Sequence, residues 1–240
     1  MLNIVTALKI EAEPIINKYK LKSSNGIYQN ENINLIITGQ GKIKCAINTA
    51  LLLSKHNCPT LNIGIAGSDD YEINEGFFIH KITDTDTGYE YYPDIIHSPS
   101  EEVYTVSKIG KYYKLTDMES SAFFEAAYKF LNVNEIILYK IVSDTPQKKP
   151  EPEKIPDLIN SHLNIIDLLI EKFSQKNDFF KEIDEKISEA KSKMRLTKTQ
   201  QNQLKQILTL YKIKNIPLPA FKELNKKEEV KKFLDTLNVF

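Results

Sequence analysis

Three acidic residues stand where an apolar run gives way to a turn or helix, and carboxylates at such points are placed to move protons or to hold hydroxyl groups. They are Glu11, Glu119 and Asp144. Each also has a purely structural reason to be there. Glu11 falls in the first turn of a predicted helix, where the electropositive N-terminus favours an acid by roughly 0.3–1 kcal/mol. Thr116 and Glu119 spell T-x-x-E ahead of an apolar run, the pattern of a capping box. Asp144, between Ser143 and Thr145-Pro146, suits a turn. Acid–base chemistry therefore requires that the three converge on one hollow.

The elements that must position them read as alternating strands and helices. Residues 2–7 (LNIVTA) form a β-type run and residues 11–19 a helix; residues 33–38 (INLIIT) form a strand ending at Gly39-Gln40-Gly41, and residues 46–53 a second helix. A buried-looking strand over 61–66 stops at Gly67, and another spans 76–82. Residues 89–106, polar, aromatic and Pro-containing, predict a loop with short strands. Residues 119–130 have the periodicity of a buried helix, and residues 136–142 (IILYKIV) are a continuous apolar strand carrying one lysine. A Pro-rich connection at 148–156 leads into an amphipathic helix at 155–173. Such alternation predicts a layered α/β domain over residues 1–177. From residue 178 the texture changes: helical patterns at 179–191, 197–211 and 226–237, with a Pro-containing break at 216–219, predict an α-helical appendage over 178–240 without internal repeat.

Bulk composition agrees with one substantial core plus a small addition, at 240 residues and 41% hydrophobic content. The opening apolar segment is broken at once by Lys9, Glu11 and Glu13, unlike a signal peptide, and no apolar run approaches the roughly 18 residues of a membrane span. Cys45 and Cys58 lack metal-ligand spacing and suit reduced thiols, so a cytoplasmic location is expected. The formal net charge of +0 conceals an uneven distribution: residues 178–240 hold 14 basic against 9 acidic side chains, and residues 1–177 hold 18 against 23. A net basic tail of this kind suits docking on an acidic partner surface, its own or another's, while no zinc-finger spacing or RNA-binding motif argues for nucleic acid.

Five short motifs give the alternation a more specific meaning. Ala7-Leu8-Lys9-Ile10-Glu11 resembles the first strand and acid-bearing loop of the methylthioadenosine/S-adenosylhomocysteine nucleosidases, a branch of the nucleoside phosphorylase superfamily. Thr38-Gly39-Gln40-Gly41-Lys42 resembles that family's S-G-x-G-K turn, and Gly64-Ile65-Ala66-Gly67 its G-[ST]-A-G strand end. Asp117-Met118-Glu119 resembles its E-M-E signature, and Lys140-Ile141-Val142-Ser143-Asp144 its R-A-I-S-D segment. The motifs occur in the family's order and the likeness spans roughly residues 1–173. It implies a central mixed, mostly parallel sheet flanked by helices, a purine nucleoside of the 5′-modified adenosine type as substrate, no cofactor or metal, and commonly a homodimer.

By the same resemblance Asp144 protonates the departing base, Glu119 accepts hydrogen bonds from the ribose hydroxyls, Met118 lies against the sugar, and Glu11 activates the attacking water. Ser143, Gly67, Ala66, Gly39 and Lys140 complete the implied binding set. Four features depart from the family's pattern: Asp117 replaces a Glu, Ile65 a Ser or Thr, Lys140 an Arg, and the chain between Tyr91 and Asp117 is much shorter. That region normally contributes contacts to the base, leaving Tyr89, Tyr91, Tyr92 and Tyr104 as candidates to stack on it. Arg195, the single arginine, lies in the appendage, so the arginine forks that suit phosphate are missing from residues 1–177 and water is the expected nucleophile. Lys42 and Lys140 remain as possible phosphate ligands, which keeps phosphorolysis as an alternative. A nucleoside-binding or scaffold protein that cleaves nothing is the alternative of a different class.

Overall fold

The structure, a computed structural model, describes residues 1–94, 98–108, 110–224 and 227–237, with the side chains of 175–178 and 227 left aside. The chain divides into two compact units, Met1–Ile170 and Glu171–Phe240.

The strands are β1 (Leu2–Thr6), β2 (Lys22–Ser24), β3 (Ile27–Gln29), β4 (Ile33–Ile37), β5 (Thr60–Gly67), β6 (Gly76–Asp84), β7 (Glu90–Tyr91), β8 (Ser100–Thr105), β9 (Thr116–Asp117) and β10 (Ile136–Asp144). The helices are α1 (Lys9–Tyr19), α2 (Lys42–Lys55), α3 (Ser120–Tyr128), α4 (Ile155–Ser161), α5 (Asn164–Lys193), α6 (Lys198–Ile213) and α7 (Lys227–Leu237). All ten strands join one mixed sheet, in which β4, β1, β5 and β10 run parallel side by side. Antiparallel pairing enters at the β2–β3–β4 edge and where β6 and β9 join β10 and β5. Because β10 pairs both β5 and β6, while β8 and β9 link β6 back to β5, this half of the sheet closes on itself.

Helices cover the sheet in two pairs, α1 with α4 and α2 with α3. Alternate residues of β10 face opposite sides, as a strand's period of two demands, and Ile136, Leu138 and Val142 join a core that includes Leu52, Phe123 and Phe124 of α2 and α3. The carboxyl ends of the parallel strands thus lie together, the position at which open α/β sheets gather ligands.

The expected α/β architecture is present, with local differences. The β2–β3 hairpin carried a readable signal that the alternation reading passes over: Asn25-Gly26, whose φ values of 50° and 81° suit the two central residues of a hairpin turn. The expected helix 155–173 is interrupted at His162–Leu163, while the expected gap between 173 and 179 is helical throughout, because residues 171–178 contain neither glycine nor proline. Residues 89–106 carry β7 and β8, with 95–97 outside the described residues. Position 226 of the last expected helix is likewise outside them.

The second unit is a helical assembly around Ile183, Ile187, Leu204, Leu208, Val230 and Leu234. Its α6 opens on a capping box in which the Thr197 hydroxyl accepts from the Gln200 amide and the Gln200 side chain accepts in return from Thr197. The segment from 214 to 224 is non-helical, as Pro217 and Pro219 require, and a bridge between Met194 and Leu224 ties it back.

Candidate active site

Within the first unit, the ends of β1, β5 and β10 and the β9–α3 turn enclose a cavity of about 440 Å³. Glu11, Glu119 and Asp144 all line it, and they are 2%, 7% and 8% exposed.

Glu11 sits in the first turn of α1 with its carboxylate turned back over the end of β1. One oxygen, Oε2, accepts from the backbone N–H groups of Ala7 (3.0 Å) and Leu8 (2.7 Å), and Oε1 accepts from Ile65 N–H (3.0 Å). Gly64 makes room for it, since a Cβ there would come 2.9 Å from Oε1. Burial pushes the Glu11 carboxyl above its ordinary range, and the three N–H donors with the nearby Lys140 charge only partly offset this.

Glu119 takes the N-cap position of α3, but its side chain makes no capping bond to that helix. The expected capping box is therefore not formed. Thr116 belongs to β9, and it is Asp117 Oδ2 that accepts from the Ser120 backbone and hydroxyl. Glu119 is free for a different task, and its Oε1 accepts the Gly41 N–H across the cavity at 2.7 Å. Gly41 adopts φ +100°, a conformation that side-chain-bearing residues rarely adopt. Burial first, and the adjacent Asp117 charge second, push the Glu119 carboxyl up to about 7.

Asp144 closes β10 just past a register shift between Val142 and Asp144, a bulge of the kind that re-aims side chains beside functional sites. Its Oδ1 accepts from the Ser143 hydroxyl (2.6 Å) and its Oδ2 from the Tyr112 hydroxyl (2.8 Å).

Of the remaining expected residues, Met118, Ser143, Ala66 and Gly67 line the cavity, and the Met118 sulfur accepts from Gln40 Nε2 at 3.0 Å. Gly39 and Lys140 do not. Gly39 lies at the end of β4, where its N–H donates to Ala7 O. Lys140 is 2% exposed and lies beneath the site: its ammonium pairs with Asp117 (2.9 Å) and donates to Asn62 Oδ1 (2.7 Å). The even position that puts Lys140 on the α2–α3 side of β10 removes it from the cavity wall. Burial pulls its ammonium toward neutrality, but the charges of Asp117, Glu119 and Glu11 outweigh this and its proton is held more tightly than usual.

None of the four tyrosines offered as candidates to stack on a base lines this cavity. Tyr89 and Tyr92 are exposed, Tyr91 packs on Phe124, and Tyr104 stacks on Tyr113 at 4.4 Å. The aromatic residue at the cavity is Tyr112, accompanied from the same segment by Val106 and Lys111. Its sequence signal was faint: two adjacent tyrosines between lysines, five residues before Asp117. The other wall comes from Lys149, Pro150 and Pro152 of the Pro-rich connection. Among the described residues no cluster of His, Cys, Asp and Glu is arranged to hold a metal ion, both cysteines are free thiols, and no helix is long and apolar enough to cross a membrane.

No protein-family model matches the sequence, and no curated protein matches it by sequence. Solved structures do. The apo 5′-methylthioadenosine nucleosidase of Arabidopsis thaliana aligns at a TM-score of 0.60 and 14% identity, covering 70% of this chain and 95% of that one. The first unit has the nucleosidase fold. A Helicobacter pylori nucleosidase mutant with 5′-methylthioadenosine in its active site aligns at 0.60 and 13% identity, covering 71% and 98% of the two chains. A futalosine hydrolase mutant of the same organism aligns at 0.58 and 11%, with the same coverage. The nucleosidase fold thus accounts for a share of the chain equal to that of the first unit.

Proposed function

We propose that the first unit hydrolyses the N-glycosidic bond of a purine nucleoside of the 5′-modified adenosine type. The observation that carries this reading is the meeting of Glu11, Glu119 and Asp144 on the wall of one cavity in a nucleosidase fold. Water attacks the anomeric carbon as the bond to the purine breaks, the bonding pair leaves with the base, Asp144 delivers a proton to that base, and Glu11 takes one from the water. Glu11 suits a base, because burial raises its proton affinity while three N–H donors keep the carboxylate fixed. Glu119 offers the ribose hydroxyls a carboxylate oxygen, since among the described residues only its Oε1 is engaged. Met118, Ala66, Gly67 and Ser143 supply the surface around the reacting centre, with Lys140 acting from beneath through Asp117.

Hydrolysis is favoured over phosphorolysis by the state of the two lysines expected to bind phosphate, while Lys111 and Lys149 are the cations on the cavity wall. Lys42 is held by Asp84 (2.6 Å) and Asp86 (2.7 Å), and Lys140 by Asp117, so neither of the two lysines expected to hold phosphate is at liberty. A homodimer is supported by α2, whose Ile43, Ile47 and Leu51 stand exposed at four-residue spacing. The free thiols fit a reducing, cytoplasmic setting.

Adenine release from methylthioadenosine, S-adenosylhomocysteine and 5′-deoxyadenosine tests the proposal. Asp144→Asn lowers kcat by about 10²–10⁴-fold with unchanged circular dichroism. Turnover that needs added phosphate makes the enzyme a phosphorylase. Wild type and Asp144→Asn equally inert, with nucleoside still bound, leave a binding protein.

A further inference from the structure

Tyr112 has an anchored backbone neighbourhood and a side chain that is only half-buried. Next to it, the Tyr113 N–H donates to Thr116 Oγ1 (2.9 Å), Tyr113 O accepts from Asp69 N–H (3.2 Å), and the Tyr113 ring stacks on Tyr104. The Tyr112 ring lies over Gly67, so close that a Cβ on Gly67 would come within 2.6 Å of it. From there the hydroxyl reaches Asp144 Oδ2 at 2.8 Å.

Both oxygens of Asp144 therefore already have an O–H donor, Ser143 on Oδ1 and Tyr112 on Oδ2. The two donors are not equivalent. Ser143 is buried within β10, while Tyr112 belongs to the connection between β8 and β9 and its side chain is half-buried at the cavity. Its hydroxyl is a donor at neutral pH, as a phenol of ordinary acidity is, and the bond to Asp144 pushes it further up, to about 12.

Building on the nucleosidase reading, we propose that Tyr112 is a gate on the base subsite: its hydroxyl and the purine compete for Oδ2 of Asp144, and the phenol must leave that oxygen before Asp144 can serve the base. Tyr112 acts through Asp144, so it is a positioning residue. Removing its hydroxyl while keeping the ring over Gly67 removes the competitor and leaves the packing in place.

The test compares wild type with Tyr112→Phe in the full chain. Calorimetric titration with adenine gives a Kd about fivefold lower in the variant, and KM for the cleaved nucleoside falls by a similar factor while kcat stays within about twofold. A residue that merely supported the fold would instead raise KM or lower kcat. A second measurement needs no substitution of the hydroxyl: with 3-fluorotyrosine placed at position 112, adenine shifts the fluorine resonance as the phenol leaves Asp144. Wild type that binds adenine while Tyr112→Phe binds it no more tightly, or a fluorine resonance that adenine does not move, overturns the gate and leaves the nucleosidase reading standing. Wild type that neither binds adenine nor cleaves nucleoside overturns both.

Discussion

The two units of the chain bury different chemistry. Every buried polar or charged side chain among the described residues lies at or before Asp144, and the set includes Glu11, Asp117, Glu119, Lys140 and Asp144. Among the described residues the second unit buries hydrophobic side chains, such as Ile183, Leu204, Leu208 and Val230, and none of its ion pairs is fully buried. Buried charge is costly unless paired, whereas apolar burial stabilises directly, so the second unit has the composition of a part selected for its packing. The first unit carries charge where stability alone would not place it. That contrast is visible without reference to any relative.

Breaking the buried pair gives the largest expected effect. Lys140→Met leaves Asp117 without a counter-charge at 1% side-chain exposure and lowers stability by about 3–5 kcal/mol, read from urea denaturation. Adding Asp117→Asn to it removes the orphaned charge while keeping an acceptor for Ser120, and recovers part of the loss. No recovery in the double variant would mean that the lysine acts through its volume, and the contrast between the units would lose its electrostatic basis.

Glu119 sharpens the same contrast through pH. Its carboxyl lies at about 7 in the folded chain, above the ordinary 4.5, so the native state holds a proton that the unfolded state has released between these values. The folded form is therefore favoured below pH 4.5 and loses that advantage as pH rises from 4.5 to 7, by roughly 3 kcal/mol. Glu119→Gln keeps an acceptor for the Gly41 N–H, flattens this slope and makes the protein more stable than wild type at pH 8. It also weakens nucleoside binding if the carboxylate holds the ribose. A variant with an unchanged pH slope would show that another carboxylate governs it.

The sheet and most helices were legible because apolar runs and helical spacing follow from burial, and the Glu11 and Asp144 strand ends were legible because their motifs are contiguous. What escaped depended on tertiary contacts. Glu119 itself was named for the site, but the capping box read for it was not formed: Asp117 does the capping, and Glu119 reaches Gly41, 78 positions away. Lys140 sits two residues from its neighbours on the same strand face, but a motif cannot say which face looks into the cavity and which looks beneath it. Tyr112 is one of 12 tyrosines, and nothing in local spacing separates it from Tyr113, whose ring turns to Tyr104 instead. In the helical region periodicity was enough for α6 and α7, and the misplaced break in α5 came from reading a polar stretch as a boundary.

The smallest effect is expected in the second unit, and it makes the comparison two-sided. Glu189 is bridged at 2.8 Å by both Lys186 and Lys193, and these bonds hold its carboxyl down at about 2. A depressed carboxyl adds stability above its unfolded value and loses it as pH falls toward 2, so on paper the pair count favours Glu189 over Lys140. Solvent decides otherwise: the side chain is about one-third exposed, and water and salt screen what the bridges gain. Glu189→Gln at pH 7 and 0.15 M salt therefore leaves the unfolding midpoint where it is, with a difference emerging only at low ionic strength. A loss comparable to that of Lys140→Met would mean that surface bridges hold the second unit together, and the division between a part built for packing and a part built around buried charge would not stand.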